Sequence, residues 1–162
     1  MTTQVSEISA PSPARLPKEL LANGAFLLAR IGFSFKAKAL EEVETAGFSL
    51  YDYSVLATLA EQPRETQATI ADALGVDRSQ LVGVLDSLEE RGLIERQRDP
   101  SDRRRHMVSL TAEGRRQLVQ IRSIVKRLEE QFLAPLAADD RETLHRLLLE
   151  LARHHDPRCG PS

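Results

Sequence analysis

Between Thr69 and Gly114 the chain reads TIADALGVDRSQLVGVLDSLEERGLIERQRDPSDRRRHMVSLTAEG, and no other stretch limits the fold so tightly. Thr66 can cap a short helix carrying Ile70, Ala71 and Leu74, which Gly75 closes in the position of a left-handed C-terminal residue. A second helix starts almost at once. Asp77 with Gln80 three residues later is a variant capping box, and Leu81, Val84, Leu85 and Leu88 form one apolar stripe as far as Arg91 and Gly92. The period then changes to two: LIERQR alternates, a polar stretch from Asp99 to Arg105 follows, and HMVSL alternates again. Helices that cross closely need a small residue at their contact, a glycine at the turn and a branched apolar residue early in the second helix. Ala71, Gly75 and Leu81 supply these.

Helix, tight turn, helix and long-tipped hairpin make a winged helix-turn-helix, and the flanks on both sides are helical. Pro17 suits the first turn of a long helix bearing Leu20, Leu27, Leu28, Ile31, Phe35 and Leu40, weakened locally by Gly24 and Gly32. Ser49 opens a helix with Asp52 completing its acidic first turn; Tyr53, Leu56, Leu59 and Ala60 are its buried stripe, and Pro63 closes it. Thr111 caps a helix whose Leu118, Ile121, Val125, Leu128 and Phe132 repeat like a coiled-coil seam, stopped by Pro135. Asp139 with Glu142 makes a capping box for a last helix bearing Leu144, Leu147, Leu148 and Leu151. The fold class is therefore mainly α. Residues 1–15 read as a flexible arm, 16–48 as the first helix and junction, 49–111 as the winged-helix lobe, 112–156 as C-terminal helices and 157–162 as a loose tail.

A net charge of −2 argues against a surface that binds nucleic acid all over, yet binding follows the distribution of charge and not its sum. From Arg91 to Arg105 six arginines face three acids, Glu95, Asp99 and Asp102. On the second helix of the motif, the face opposite the leucine stripe shows Arg78, Ser79, Val82, Gly83 and Asp86, short residues that let a backbone approach base edges. Arg78 can bond a guanine edge or a phosphate, Ser79 and Gln80 can read bases or backbone, and Val82 can touch a thymine methyl. Arg96 and Arg98 extend the basic strip into the hairpin, whose tip carries Arg103, Arg104 and Arg105, the side chain suited to a narrow, electronegative minor groove.

The wing DPSDRRRHMVSLTAEG followed by a seam-like helix is the most specific feature, and through it the chain resembles the MarR family of transcriptional regulators from about Leu16 to His155. The resemblance implies a homodimer, with the N- and C-terminal helices as the dimerisation region, and double-stranded operator DNA as partner. The operator is expected to be an inverted repeat, and repression the direction of control. By similarity to the family's Asp-x-Arg wing pattern, Asp102 and Arg104 are expected to pair within the wing while Arg103 or Arg105 meets phosphate or groove; which one enters the groove stays open. MarR-like proteins often bind phenolic or aromatic carboxylate effectors. Phe26, Arg30 and Phe33 share one helical face, with Tyr51 and Tyr53 at the next helix, so Arg30 is the candidate for the carboxylate. The same residues suit a core or subunit contact with Arg30 in an ion pair.

Little else carries chemistry. His145, Glu142, His154 and His155 lack the spacing of a tight metal pair, and no phosphate loop or nucleophile elbow is present, so neither enzyme, metal nor cofactor is expected. Cys159 is the only cysteine, which excludes an intramolecular disulfide framework. No run approaches the roughly 18 apolar residues of a membrane helix, and MTTQVSEISAPSPAR lacks the apolar centre of a signal peptide; a cytoplasmic location is the simplest expectation. The competing functional class is a dimeric adaptor whose winged-helix lobe binds protein and no longer DNA.

Overall fold

The computed structural model describes residues 15–62, 65–99, 102 and 106–160. Two compact units meet in sequence between Lys36 and Ala37. The first holds a short helix α1 (Lys18–Leu21) and the start of α2 (Gly24–Thr45). One continuous helix from Pro17 was expected; instead the chain breaks at residues 22–23. Asn23 supplies the reason: its side-chain oxygen accepts the Phe26 amide at 3.0 Å, capping a new helix at Gly24, so this glycine marks a helix start and not a weak point within one.

The second unit contains the C-terminal part of α2, α3 (Leu50–Glu61), β1 (Glu65–Thr66), α4 (Gln67–Leu74), α5 (Arg78–Glu90), β2 (Ile94–Arg98), β3 (His106–Leu110), α6 (Ala112–Phe132), α7 (Ala138–His155) and a 3-10 turn at Pro157–Cys159. Ser49 and Asp52 form the capping box of α3, and Thr66 caps α4 with Thr69 as its reciprocal partner. Gly75 takes φ +63°, and with it the Val76 amide reaches back to the Ala71 carbonyl at 3.1 Å. That left-handed residue turns the chain sharply enough for α5 to start after two residues. Asp77 does cap α5, accepting the Ser79 amide at 2.8 Å, but without the reciprocal contact from Gln80 that a capping box requires. At the far end Gly92, φ +68°, releases the chain into β2.

The antiparallel sheet has the order β1-β3-β2, with Arg98 opposite His106 and Ile94 opposite Leu110 in the wing, and Glu65 opposite Val108 on the other side. Strand β1 was not foreseen, since two residues show no alternation. The core gathers Val55, Leu56 and Leu59 of α3, Ile70 and Ala71 of α4, Leu81, Leu85 and Leu88 of α5, Ile94, Val108 and Leu110 of the sheet, and Leu118 and Ile121 of α6. In α3 the buried line runs through Val55, while Tyr53 is half-buried and Ala60 exposed.

Two expectations about the C-terminal helices change. The stripe of α6, read as a coiled-coil seam, is buried within the chain at Leu118, Ile121 and Leu128, and Leu118 and Ile121 join the core with α3. Spacing reveals that a stripe is apolar, not which surface covers it. Helix α7 begins at Ala138, with Ala137 at the N-cap two residues before the expected Asp139 and no side-chain bond, so Asp139 and Asp140 complement the helix dipole from the first turn. Leu147, Leu148 and Leu151 remain exposed on it. The tail, expected to be loose from residue 157, turns once at Pro157–Cys159, where Asp156 accepts both the backbone amide and the guanidinium of Arg158. Among the described residues no helix is long and apolar enough to cross a membrane.

Candidate nucleic-acid interface

Helix α5 buries Leu81, Leu85 and Leu88 and thereby turns Arg78, Ser79, Gln80, Val82, Gly83 and Asp86 outward. Gly83 lies within the helix, and a Cβ placed there would meet nothing within 4 Å. Val82 is 40% exposed, an apolar side chain left on a polar surface. Beside it opens a concavity of about 460 Å³ lined by Thr66, Gln67, Ala68 and Thr69 at the start of α4, Arg78 and Val82 of α5, and His106 of β3. Its wall combines the positive end of a helix with a guanidinium and an imidazole, a setting that favours an anionic chain.

The arginines divide by what they touch. Arg78 and Arg98 are exposed and form no ion pair with any described residue. Arg96 was grouped with them from sequence, but its side chain is only 17% exposed and packs back onto α5, paired with Asp86 and with Glu89 at 2.7 Å, while its own amide bonds Glu89 at 3.2 Å. The Asp86 carboxylate, and then Glu89, hold its guanidinium more firmly protonated than usual. Reaching DNA would break both pairs; as it stands, Arg96 braces the wing against α5. Two residues apart on β2, Arg96 and Arg98 share one face of the strand, but only Arg96 meets carboxylates, those of Asp86 and Glu89 on α5.

Ser79 also has a local role. Its hydroxyl and amide both donate to Asp77, which keeps the Asp77 carboxyl below the usual range, the hydroxyl bond contributing most. The Ser79 oxygen keeps its acceptor lone pairs for a ligand. Asp102 is half-buried. Arg103, Arg104 and Arg105, and with them the expected Asp102–Arg104 pair, lie outside the described residues.

Of the expected effector residues, Phe26 is half-buried and Arg30 and Phe33 are exposed on α2 in the first unit, whereas Tyr51 is exposed and Tyr53 half-buried on α3 in the second. Of the lining groups, Thr66, Gln67, Ala68, Thr69 and His106 escaped the sequence reading as site residues. His106 sits at the wing end of β3 with no charge run to flag it, and Thr69 was hidden by its part in the Thr66 cap. Among the described residues no three His, Cys, Asp or Glu side chains gather as a metal site.

Comparison with known proteins adds an independent line. The MarR family pattern matches residues 48–106. A transcriptional regulatory protein assigned to the hcr operon of Thauera aromatica is 38% identical over 120 residues, covering 74% of this chain and 72% of that protein. The transcriptional repressor CouR, solved on a 23-mer DNA duplex, is 34% identical with a TM-score of 0.76, over 86% of this chain and 99% of CouR. CouR from Rhodococcus jostii RHA1 bound to p-coumaroyl-CoA superposes with a TM-score of 0.68 at 32% identity, over 82% and 94% of the two chains.

Proposed function

This chain belongs to the MarR family of transcriptional regulators, and from that premise we propose that it is a cytoplasmic, non-enzymatic repressor. As a homodimer it binds an inverted-repeat operator and is released by a small aromatic or phenolic effector. The observation that carries the reading is the outward face of α5: Arg78 without an ion pair to any described residue, apolar Val82 and an unobstructed Gly83 beside a concavity with a positive wall. In this reading α5 lies in the major groove with Arg78, Ser79, Gln80 and Val82 at base edges and Gly83 allowing close approach. Arg98, with Arg103, Arg104 and Arg105, serves the wing at the minor groove, where Asp102 orients an arginine. A CouR solved on DNA supports the first part, and the CouR of Rhodococcus jostii RHA1, solved with p-coumaroyl-CoA, supports an aromatic acyl effector.

Dimerisation rests on the terminal helices. With Leu118 and Ile121 of α6 in the core, apolar side chains stay exposed at Leu28, Ile31 and Phe33 of α2 and at Leu147, Leu148 and Leu151 of α7, and these are the surfaces proposed to meet a second copy. Two-fold symmetry then sets the operator: half-site centres about 10 base pairs apart, one helical turn. Footprinting the purified protein on DNA around its own gene, with light scattering alongside, tests all of this. Protection of an inverted repeat by a dimer is expected. A dimer that protects no DNA would instead support the adaptor reading, and a monomer at micromolar concentration would remove the basis for the two-fold operator.

A further inference from the structure

We propose that Arg91 is a positioning residue for DNA readout, locking the C-terminal end of α5 onto the junction between α2 and α3; the inference rests on the DNA-binding reading above. Arg91 is the residue that ends α5, and its guanidinium makes three contacts with a single segment. One nitrogen donates to Asp52 Oδ2 at 3.3 Å, another donates to the Gly47 carbonyl at 3.0 Å, and the plane lies 4.4 Å from the centroid of the Phe48 ring. The receiving groups are themselves fixed. Asp52 is 7% exposed and also accepts the Ser49 amide at 2.8 Å, while Phe48 is part of the core.

Only a planar fork offers donors in two in-plane directions and a face for a ring at once, which a lysine ammonium does not. The leucine stripe of α5 fixes which face is buried, but apolar contacts are non-directional and hold tilt and axial position less tightly than bonds with set angles. Helix α5 has thirteen residues and so a lever of about 20 Å from its clamped end to Arg78. A tilt of about 5° there displaces the base-reading end by almost 2 Å, several times the roughly 0.5 Å tolerance of a working site. Arg96 braces the same helix toward the wing; Arg91 braces it toward α3. Arg91 and Arg96, both bound to carboxylates, therefore hold the reading helix, and Arg78 and Arg98, which pair with no described acid, are left to meet DNA.

The test compares wild type, Arg91→Met and Arg91→Lys on the footprinted duplex and on a random duplex of equal length, each across a salt titration, with thermal melts and light scattering. Methionine keeps an apolar stem on Phe48 and loses both bonds; lysine keeps the charge. The expected result is a loss of about tenfold in the preference for the footprinted duplex in Arg91→Met, with random-duplex affinity and salt slope unchanged, and partial recovery in Arg91→Lys. An unchanged preference with lower melting temperatures would overturn the proposal, leaving Arg91 a stabilising contact only. Parallel loss on both duplexes with a flatter salt slope would overturn it in favour of a phosphate contact. If the methionine variant does not fold, the lysine variant alone decides between these results. Wild type without preference for either duplex would instead refute the DNA reading itself.

Discussion

Substitution of Gly83 by alanine separates what the helix needs from what its surface is for. In a helix interior glycine is about 1 kcal/mol less favourable than alanine. Gly83 is the sixth of thirteen helical residues, has no positive φ and faces open space within 4 Å, so nothing in the chain itself opposes a methyl group. Gly83→Ala is therefore expected to stabilise by about 0.5 to 1 kcal/mol and raise the melting temperature by roughly 1–4 °C for a chain of this length. On DNA the sign reverses. A methyl forced into a closely packed contact costs about 1–3 kcal/mol, which weakens operator binding about 5- to 150-fold, while random DNA, held mainly through phosphates, loses less. Thermal melts and fluorescence anisotropy on both duplexes measure the two effects. A more stable variant with wild-type operator affinity would refute close approach at this face, and a less stable variant would refute the open environment of Gly83.

The remaining substitutions probe other parts of the chain. Gly114→Ala should lower the melting temperature by about 4–8 °C, since its Cβ would lie 1.9 Å from the Leu93 backbone oxygen and the repacking, less the propensity gain, costs about 2 kcal/mol; an unchanged melt would contradict the tight docking of α6 on the Leu93 segment. Asp102→Ala and Arg104→Ala should each weaken operator binding without altering the melt, and the double variant should lose less than the sum if the two act as a pair; full additivity in a salt-controlled titration would argue against pairing. Arg78→Ala should reduce discrimination between operator and random DNA if it reads a base, and reduce both affinities alike if it meets phosphate. Calorimetry with substituted phenols and benzoates should find a ligand whose affinity drops in Arg30→Ala; a binder indifferent to that change would exclude Arg30 as the carboxylate partner.

What could be read from sequence was local. Ser49 with Asp52, Thr66, Gly75 and Thr111 each act within a few residues of themselves, through a hydroxyl or carboxylate bonded to a nearby amide or a backbone angle that glycine adopts freely, so their signals survive without knowledge of the fold. The readings that changed all depended on distant partners or on competition between neighbours. Nothing near Leu118 or Ile121 says that α3 covers them, and nothing near Arg96 separates it from Arg98 except Asp86 and Glu89, seven and more residues back on another element. Asp139 with Glu142 has the spacing of a capping box, yet the helix runs on toward its N-terminus through Ala138, because alanine there loses little by being helical. The outward face of α5, proposed to meet DNA, was legible because it is a helix face; the lining of the concavity beside it by His106 and Thr69 was not, because β1 and β3 bring those residues together across 37 positions of sequence.

The charge pattern of the lobe follows from the same division. A regulator of net charge −2 that must approach a polyanion cannot let its carboxylates lie free beside the reading helix. Asp86 and Glu89 stand on or near that face, and each is bound by Arg96; Asp77 sits at the N-terminus of α5, where it is held by Ser79 and complements the helix dipole. These acids near the proposed DNA surface are thus all held within the protein, two of them by one guanidinium, and Arg78, Arg98 and the neutral polar rim of the concavity set the field that remains. Removing the Arg96 guanidinium would free two carboxylates on α5 as well as one strand brace. Its loss is therefore expected to weaken DNA binding by repulsion, a deficit that neutralising the two freed carboxylates should reverse, whereas their neutralisation cannot replace a lost phosphate contact; salt shrinks both deficits alike. Binding by Arg96→Met and by Arg98→Met, each alone and combined with Asp86→Asn and Glu89→Gln, would show the difference, and failure of the neutral pair to restore the Arg96 variant selectively would refute the division of the arginines into braces and contacts.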